Sequence, residues 1–192
     1  NNANIFLFNA GKKPTNPAVL KYIKLGEEQG IDKKYLTSKR SPWYSPENRP
    51  PAPIWVSVFN RGRMKFIRNE AGLFNLTTFH CIYIKQDLFA GMDVELLFAY
   101  LQTSIAAAIF NDNRREYGGG LKKFEPNDLN QGLILNLALL TRAERKAVKQ
   151  LYFKYRESVI LADEDSTCLN QIEDIFNEIY KSNKTFPLKR KS

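Results

Sequence analysis

The chain has 192 residues, a formal net charge of +9 and 43% hydrophobic residues. That length fits one domain with a helical appendage, and the apolar share is enough for a core. No apolar run reaches the roughly 18 uncharged residues of a membrane helix. The start lacks a basic region followed by an apolar core, so no signal peptide is expected. Cys81 and Cys168 lie far apart and suggest neither a disulfide framework nor a metal site, so a reducing, cytosolic setting is expected.

In chain order, "NIFLF" (4–8) reads as a short strand or a docked linker. "TNPAVLKYIKLGEEQGI" reads as a helix. Asn16 is its N-cap, Pro17 its first residue and Gly30 its stop, and Val19, Tyr22, Ile23 and Gly26 share one face. "YLTSKRSPWYSPENRPPAP" is dense in proline and turn formers and reads as mostly irregular. "IWVSVF" (54–59), "MKFIRN" and "LTTFHCIYIK" (76–85) read as strands, with "RGR" a tight hairpin candidate between the first two. Asp93 caps a long predicted helix, along which Val94, Leu97, Phe98, Leu101, Ile105, Ala108 and Ile109 recur at helical spacing. Three consecutive glycines, Gly118 to Gly120, follow it. "LKKFEP" and "GLILNL" read as extended pieces around an "EPNDL" turn. "TRAE" (141–144) is a capping box opening a helix with the stripe Val148, Leu151, Tyr152, Tyr155 and Val159. Asp163, Glu164 and Asp165 suit the start of a second helix, with the stripe Leu169, Ile172, Ile175, Phe176 and Ile179. The predicted fold class is therefore α+β: a central antiparallel or mixed sheet flanked by helices, with a C-terminal helical hairpin. The predicted division is a recognition domain over 1–140 and the hairpin over 141–192.

The charge is concentrated. Residues 33–68 carry nine Lys or Arg and a single acid, Glu47, among Tyr35, Trp43, Tyr44, Trp55, Phe59 and Phe66. A disordered basic tail would not carry so many aromatics. A folded basic surface attracts polyanions through phosphate contacts and counterion release. The alternative is a solvated cationic face. Around the glycines, Arg114, Arg115, Lys122 and Lys123 add four more cations. Backbone without side chains can approach a phosphate or a groove wall; the alternative is a helix stop followed by a turn. Chemistry is sparse by comparison. His80 is the chain's one histidine, no nucleophile–base constellation can be assembled, no paired carboxylates stand at a suggestive spacing, and no Walker or GxGxxG loop occurs. The residues point to a binding module and to no catalytic, cofactor-binding or metal-binding residue.

"SKRSPWY" (38–44), "RPPAPIWVSVFNRGRMKFIRNEAG" (49–72), "NLTTFHCIYIK" and "YGGGLKKFEPNDL" (117–129) together resemble the C-terminal target recognition domain of adenine-specific DNA methyltransferases of restriction–modification systems. The likeness covers roughly 12–137 and keeps the family's order. It implies that S-adenosylmethionine and catalysis belong to a separate domain of the parent enzyme, whose cofactor motif and Asn-Pro-Pro-Tyr/Phe motif do not occur here. "RPPAPIW" does not replace the latter. The implied partners are double-stranded DNA and that catalytic domain, with no membrane. The DNA-facing residues implied by the motifs are Lys39, Arg40, Trp43, Tyr44, Asn60, Arg61, Asn69, Tyr117, Gly118, Gly119, Gly120 and Lys122. The charge argument adds Arg63, Arg114, Arg115 and Lys123. A structural role is the alternative for Trp43 and Asn69. Two other functions fit the composition: half of a specificity subunit of a multi-subunit restriction system, and an RNA-binding or protein-interaction domain with a basic surface.

Overall fold

The computed structural model describes residues 7–46, 49–75, 77–85, 93–111, 115–123, 125–131, 133–163 and 165–183. It divides into two compact units, one ending at Pro50 and one beginning at Pro51. The predicted strand at 4–8 falls mostly outside the described residues, and Leu7 and Phe8 are irregular.

The first unit is built on helix α1 (Pro17–Glu28). The Asn16 side chain accepts from the Ala18 N–H at 2.9 Å, and Pro17 supplies a φ already suited to the first turn. The helix buries only Ile23. Its other partners include Phe8 before it, 5.0 Å from the Tyr22 ring, and Trp43 from the proline-rich segment that follows, whose described residues have no regular secondary structure.

In the second unit β1 (Ile54–Ser57) is the middle strand of an antiparallel sheet with order β3-β1-β4, where β3 is Phe66–Arg68 and β4 is Phe79–Ile82. The alternation of "IWVS" sends Ile54 and Val56 into the core. The strand predicted over 54–59 does not run through as one. Phe59–Asn60 forms a separate two-residue strand, β2, that pairs into a second antiparallel sheet of order β2-β6-β5, with β5 Arg115–Tyr117 and β6 Leu121–Lys123. The "RGR" stretch does lie in the connection between two antiparallel neighbours, β1 and β3, but that connection is long rather than tight. It is part of an excursion that leaves the first sheet after β1, adds the edge strand β2 to the second, and returns to pair β3 with β1.

The single long helix expected after Asp93 is two helices, α2 (Val94–Leu101) and α3 (Ser104–Asn111). Thr103, fully buried, makes the break. Its hydroxyl donates to the Tyr100 carbonyl at 2.6 Å and accepts from the Ala106 N–H at 3.2 Å, so it competes with the helix ladder and caps the next helix. The Glu173 carboxylate accepts from the Ser104 N–H at 2.6 Å and the Ile105 N–H at 3.3 Å, placing negative charge on the positive end of α3. The expected "EPNDL" turn is the start of a short helix, α4 (Pro126–Gln131). Of "GLILNL", residues 133–136 run without strand pairing into a 3₁₀ turn at Leu137–Leu139.

The capping box forms as predicted. The Glu144 N–H donates to Thr141 Oγ1 and the Thr141 N–H to Glu144 Oε2, opening α5 (Arg142–Ile160). Helix α6 is Ser166–Asn183, with the Asp165 carboxylate accepting from the Thr167 N–H at 2.9 Å. Both helices join the core that holds Ile54, Val56 and the α2 stripe, through Val148, Tyr152, Ile172, Phe176 and Ile179. Tyr100 lies edge-on to Phe176 at 5.3 Å, and Phe98 edge-on to Tyr152 at 5.8 Å. Burial pushes the Tyr152 phenol up to about 12. Among the described residues no helix is long and apolar enough to cross a membrane.

Candidate nucleic-acid interface

The second sheet brings together two motifs about sixty positions apart. β2 and β6 pair antiparallel with Phe59 opposite Lys123 and Asn60 opposite Lys122. β6 pairs with β5 with Arg115 opposite Lys123, Glu116 opposite Lys122 and Tyr117 opposite Leu121. "FNRGR" and "YGGGLKK" are thus neighbours in one sheet. β2 runs toward Arg61 while its antiparallel partner β6 starts from the glycines, so the Arg61 end and the glycine tip lie at the same end of the sheet.

The glycines are that tip. They do not follow α3 directly, because β5 intervenes. Gly119 and Gly120 have φ of 75° and 70° in an exposed three-residue turn, a conformation that glycine adopts at no steric cost. A Cβ added at either would meet nothing within 4 Å. The turn demands glycine for its backbone, not for internal packing, and the space beside it is open.

The cations divide by what holds them. Arg63 donates to the main-chain oxygen of Gln102 at the C-terminal cap of α2. Lys123 pairs with Glu125 at 2.5 Å and lies 5.9 Å from the centre of the exposed Phe59 ring. Asn60 is buried and donates to the Ser57 carbonyl at 2.9 Å, while the Ser57 hydroxyl donates to the Phe59 carbonyl. Arg61 is exposed, and its guanidinium takes part in no hydrogen bond or ion pair among the described residues. Lys122 is half-buried and likewise without an ion-pair partner among them. Arg114 lies outside the described residues. Arg115 and Tyr117 are placed by backbone alone.

Asn69 is not on this surface. It is buried, with its amide nitrogen donating to the Ala52 and Leu73 carbonyls at 2.8 Å each and its oxygen accepting from the Leu73 N–H at 3.0 Å. Three of its four hydrogen-bonding positions are occupied by protein backbone.

The "SKRSPWY" motif lies in the first unit and is largely internal to it. The Trp43 ring covers Gly26 so closely that a Cβ there would sit 2.5 Å from Trp43 Cη2, and the indole N–H donates to Glu27 at 3.2 Å. Tyr44 donates to the Lys12 carbonyl at 3.3 Å, and Arg40 to the Ser45 carbonyl at 3.1 Å. Lys39 sits 5.9 Å above the Tyr35 ring. Trp43, Tyr44 and Arg40 also line a cleft of about 430 Å³ with Phe8, Tyr22 and Ile31. Neither the cleft nor the seat of Trp43 was predicted. The available signal was Gly26 itself, a helix-interior glycine with no turn to make. Among the described residues no group of His, Cys, Asp and Glu could hold a metal ion.

Comparisons with known proteins agree in direction. A family model described as the C-terminal domain of the Type II methyltransferase M.Eco57I matches residues 1–169. Similar proteins include the Type II methyltransferase M.AccI of Acinetobacter calcoaceticus, 47% identical over 180 residues, which make up 94% of this chain and 33% of that protein. The Type II methyltransferase M.XamI of Xanthomonas campestris pv. amaranthicola is 28% identical over 110 residues, 57% of this chain and 20% of that protein. The chain spans a third or less of the length of these relatives. With the model matching most of its length, the chain belongs to the family of the M.Eco57I methyltransferase C-terminal domain.

Proposed function

We propose that this chain is the DNA-sequence recognition module of a site-specific adenine DNA methyltransferase of a restriction–modification system, acting in the bacterial cytoplasm where its DNA is. The observation that carries the reading is the β2–β6 pairing, which makes one surface of two separately basic motifs. The net charge of +9 supplies the sequence-independent attraction to phosphates. Family membership supplies the context.

In this reading S-adenosylmethionine acts through the remaining length of such an enzyme. The residues present here do not fit a cofactor site: the chain's one run of glycines turns one strand into its antiparallel neighbour rather than leading a strand into a helix. The module binds and orients duplex DNA, and the catalytic domain is its partner.

Titration of the chain with duplex DNA over a range of salt tests this. The logarithm of affinity is expected to fall linearly with the logarithm of salt concentration, by about 0.9 for each phosphate neutralised. Salt-insensitive binding, or a preference for single-stranded RNA over duplex DNA, overturns it.

A further inference from the structure

We infer that Arg61 is a base-reading residue of this module, presented by the β2-β6-β5 sheet to the major groove, where its guanidinium takes the N7 and O6 of a guanine. The inference rests on the DNA-recognition reading above and names the group that supplies specificity within it.

The first argument concerns unused hydrogen-bonding capacity. A guanidinium carries five N–H donors in a fixed fork. Arg40, Arg63 and Arg68 each direct donors at protein carbonyls, and Arg68 also pairs with Glu95 at 2.9 Å. Arg61, within the same basic stretch, has no protein acceptor among the described residues and is exposed. No described residue occupies its fork.

The second argument is preorganisation. Residues on both sides of Arg61 are tied down. Asn60 is fixed from its buried amide to the Ser57 carbonyl, and Arg63 is fixed to the end of α2. An exposed side chain on a braced backbone loses less freedom on binding than one on a loose loop. The third argument is access. The register sets Arg61 at the glycine end of the sheet, where Gly119 and Gly120 carry no side chains and open space surrounds them. The major groove admits a β-ribbon, and an arginine fork bidentate to guanine is the commonest specific contact there. Lys122, beside it, is a point charge on a flexible stem and suits a phosphate.

The test uses a duplex pool with a randomised central block. From it the wild-type chain is expected to recover a motif containing one guanine whose replacement by adenine costs about 5- to 150-fold in affinity, the range for losing one bidentate pair, and whose replacement by 7-deazaguanine, which removes only the N7 acceptor, costs a smaller part of that. Arg61→Ala is expected to melt like wild type, to lose the preference at that position, and to be indifferent to 7-deazaguanine there. Arg61→Lys keeps the charge and a donor that can still reach N7 or O6, so it should retain non-specific affinity and keep part of the preference. Recovery of the unaltered motif at full affinity by the folded Arg61→Ala variant overturns the assignment and leaves the recognition reading standing. A wild-type chain that binds no duplex in a salt-dependent manner overturns both.

Discussion

Residues 38–44 and 59–63 are both short, basic and aromatic, yet they use their polar atoms in opposite ways. In the first, the indole of Trp43, the phenol of Tyr44 and the guanidinium of Arg40 all donate to atoms of their own unit, and the Trp43 ring is clamped on Gly26. In the second, the anchoring residues Asn60 and Arg63 are engaged while Arg61 between them is not. A sequence motif can be family-specific because it builds a surface or because it holds one together. The acceptors inside the fold distinguish the two.

The largest effects should come from attacking the internal set. Trp43→Ala removes a ring packed on α1 and is expected to cost about 2–3 kcal/mol, less than a fully buried tryptophan because the ring is only half-buried. Asn69→Ala leaves backbone groups of Ala52 and Leu73 without partners and should cost a similar amount, about 2–3 kcal/mol. Thermal melting reads both. The affinity of the fraction that still folds for DNA should stay within about twofold of wild type for Asn69→Ala. A large affinity loss there would move Asn69 to the other side of the comparison.

At the glycine tip, backbone geometry and contact can be separated. Gly119→Val places a β-branched residue at φ 75° and should cost about 1–2 kcal/mol through strain. Gly119→Asn, a residue that tolerates this conformation, should melt close to wild type while adding side-chain bulk to the open tip. If the tip enters a groove, the asparagine variant loses affinity despite its intact fold. Unchanged affinity would restrict these glycines to turn formation.

Smaller still is Lys122→Ala. It should weaken all duplexes about equally and reduce the salt slope by about 0.9, without altering sequence preference. A change in preference would make Lys122 a reader and blur the contrast with Arg61.

The smallest effect expected is on acid stability. The Arg156 guanidinium hydrogen-bonds Glu70, Nε to Oε1 at 2.6 Å, and holds the carboxyl below its ordinary value of 4.5. A depressed carboxyl stabilises the fold above its unfolded pKa, and that contribution is lost as pH falls through the folded value. Glu70→Gln should therefore be indistinguishable from wild type at strongly acidic pH and slightly less stable above about 4.5. Chemical unfolding across that range measures it.

Local chemistry was legible in the sequence. Asn16 before Pro17, Asp93 before its apolar run and Thr141 three residues before Glu144 each fix a helix start through a side chain and a backbone N–H nearby in the chain. The break at Thr103 was not legible. The apolar stripe from Val94 to Ile109 continues through it at helical spacing, and what ends the helix includes Glu173 from a distant helix. The partition of the strands was hidden for the same reason. Alternation marks 54–59 as extended, but which neighbour each part pairs with depends on residues 121–123. At the candidate interface the cations and glycines are plain in the sequence. Which cations meet an acceptor is not, because carbonyls such as those of Gln102 and Ser45 carry no signature in the sequence.

The excursion between β1 and β3 has a consequence for how such a module changes over time. Asn60 and Arg63 fasten its two ends, and the residues between them are Arg61 and Gly62. Gly62 needs no unusual backbone angle, and a Cβ there would meet nothing within 4 Å. The two positions form a replaceable cartridge: Arg61 is exposed, and a side chain added at Gly62 starts into open space. With Arg61 as the base reader inferred above, a protein built this way would acquire a new target preference by substitution at two adjacent codons, while the framework that makes it fold is inherited unaltered.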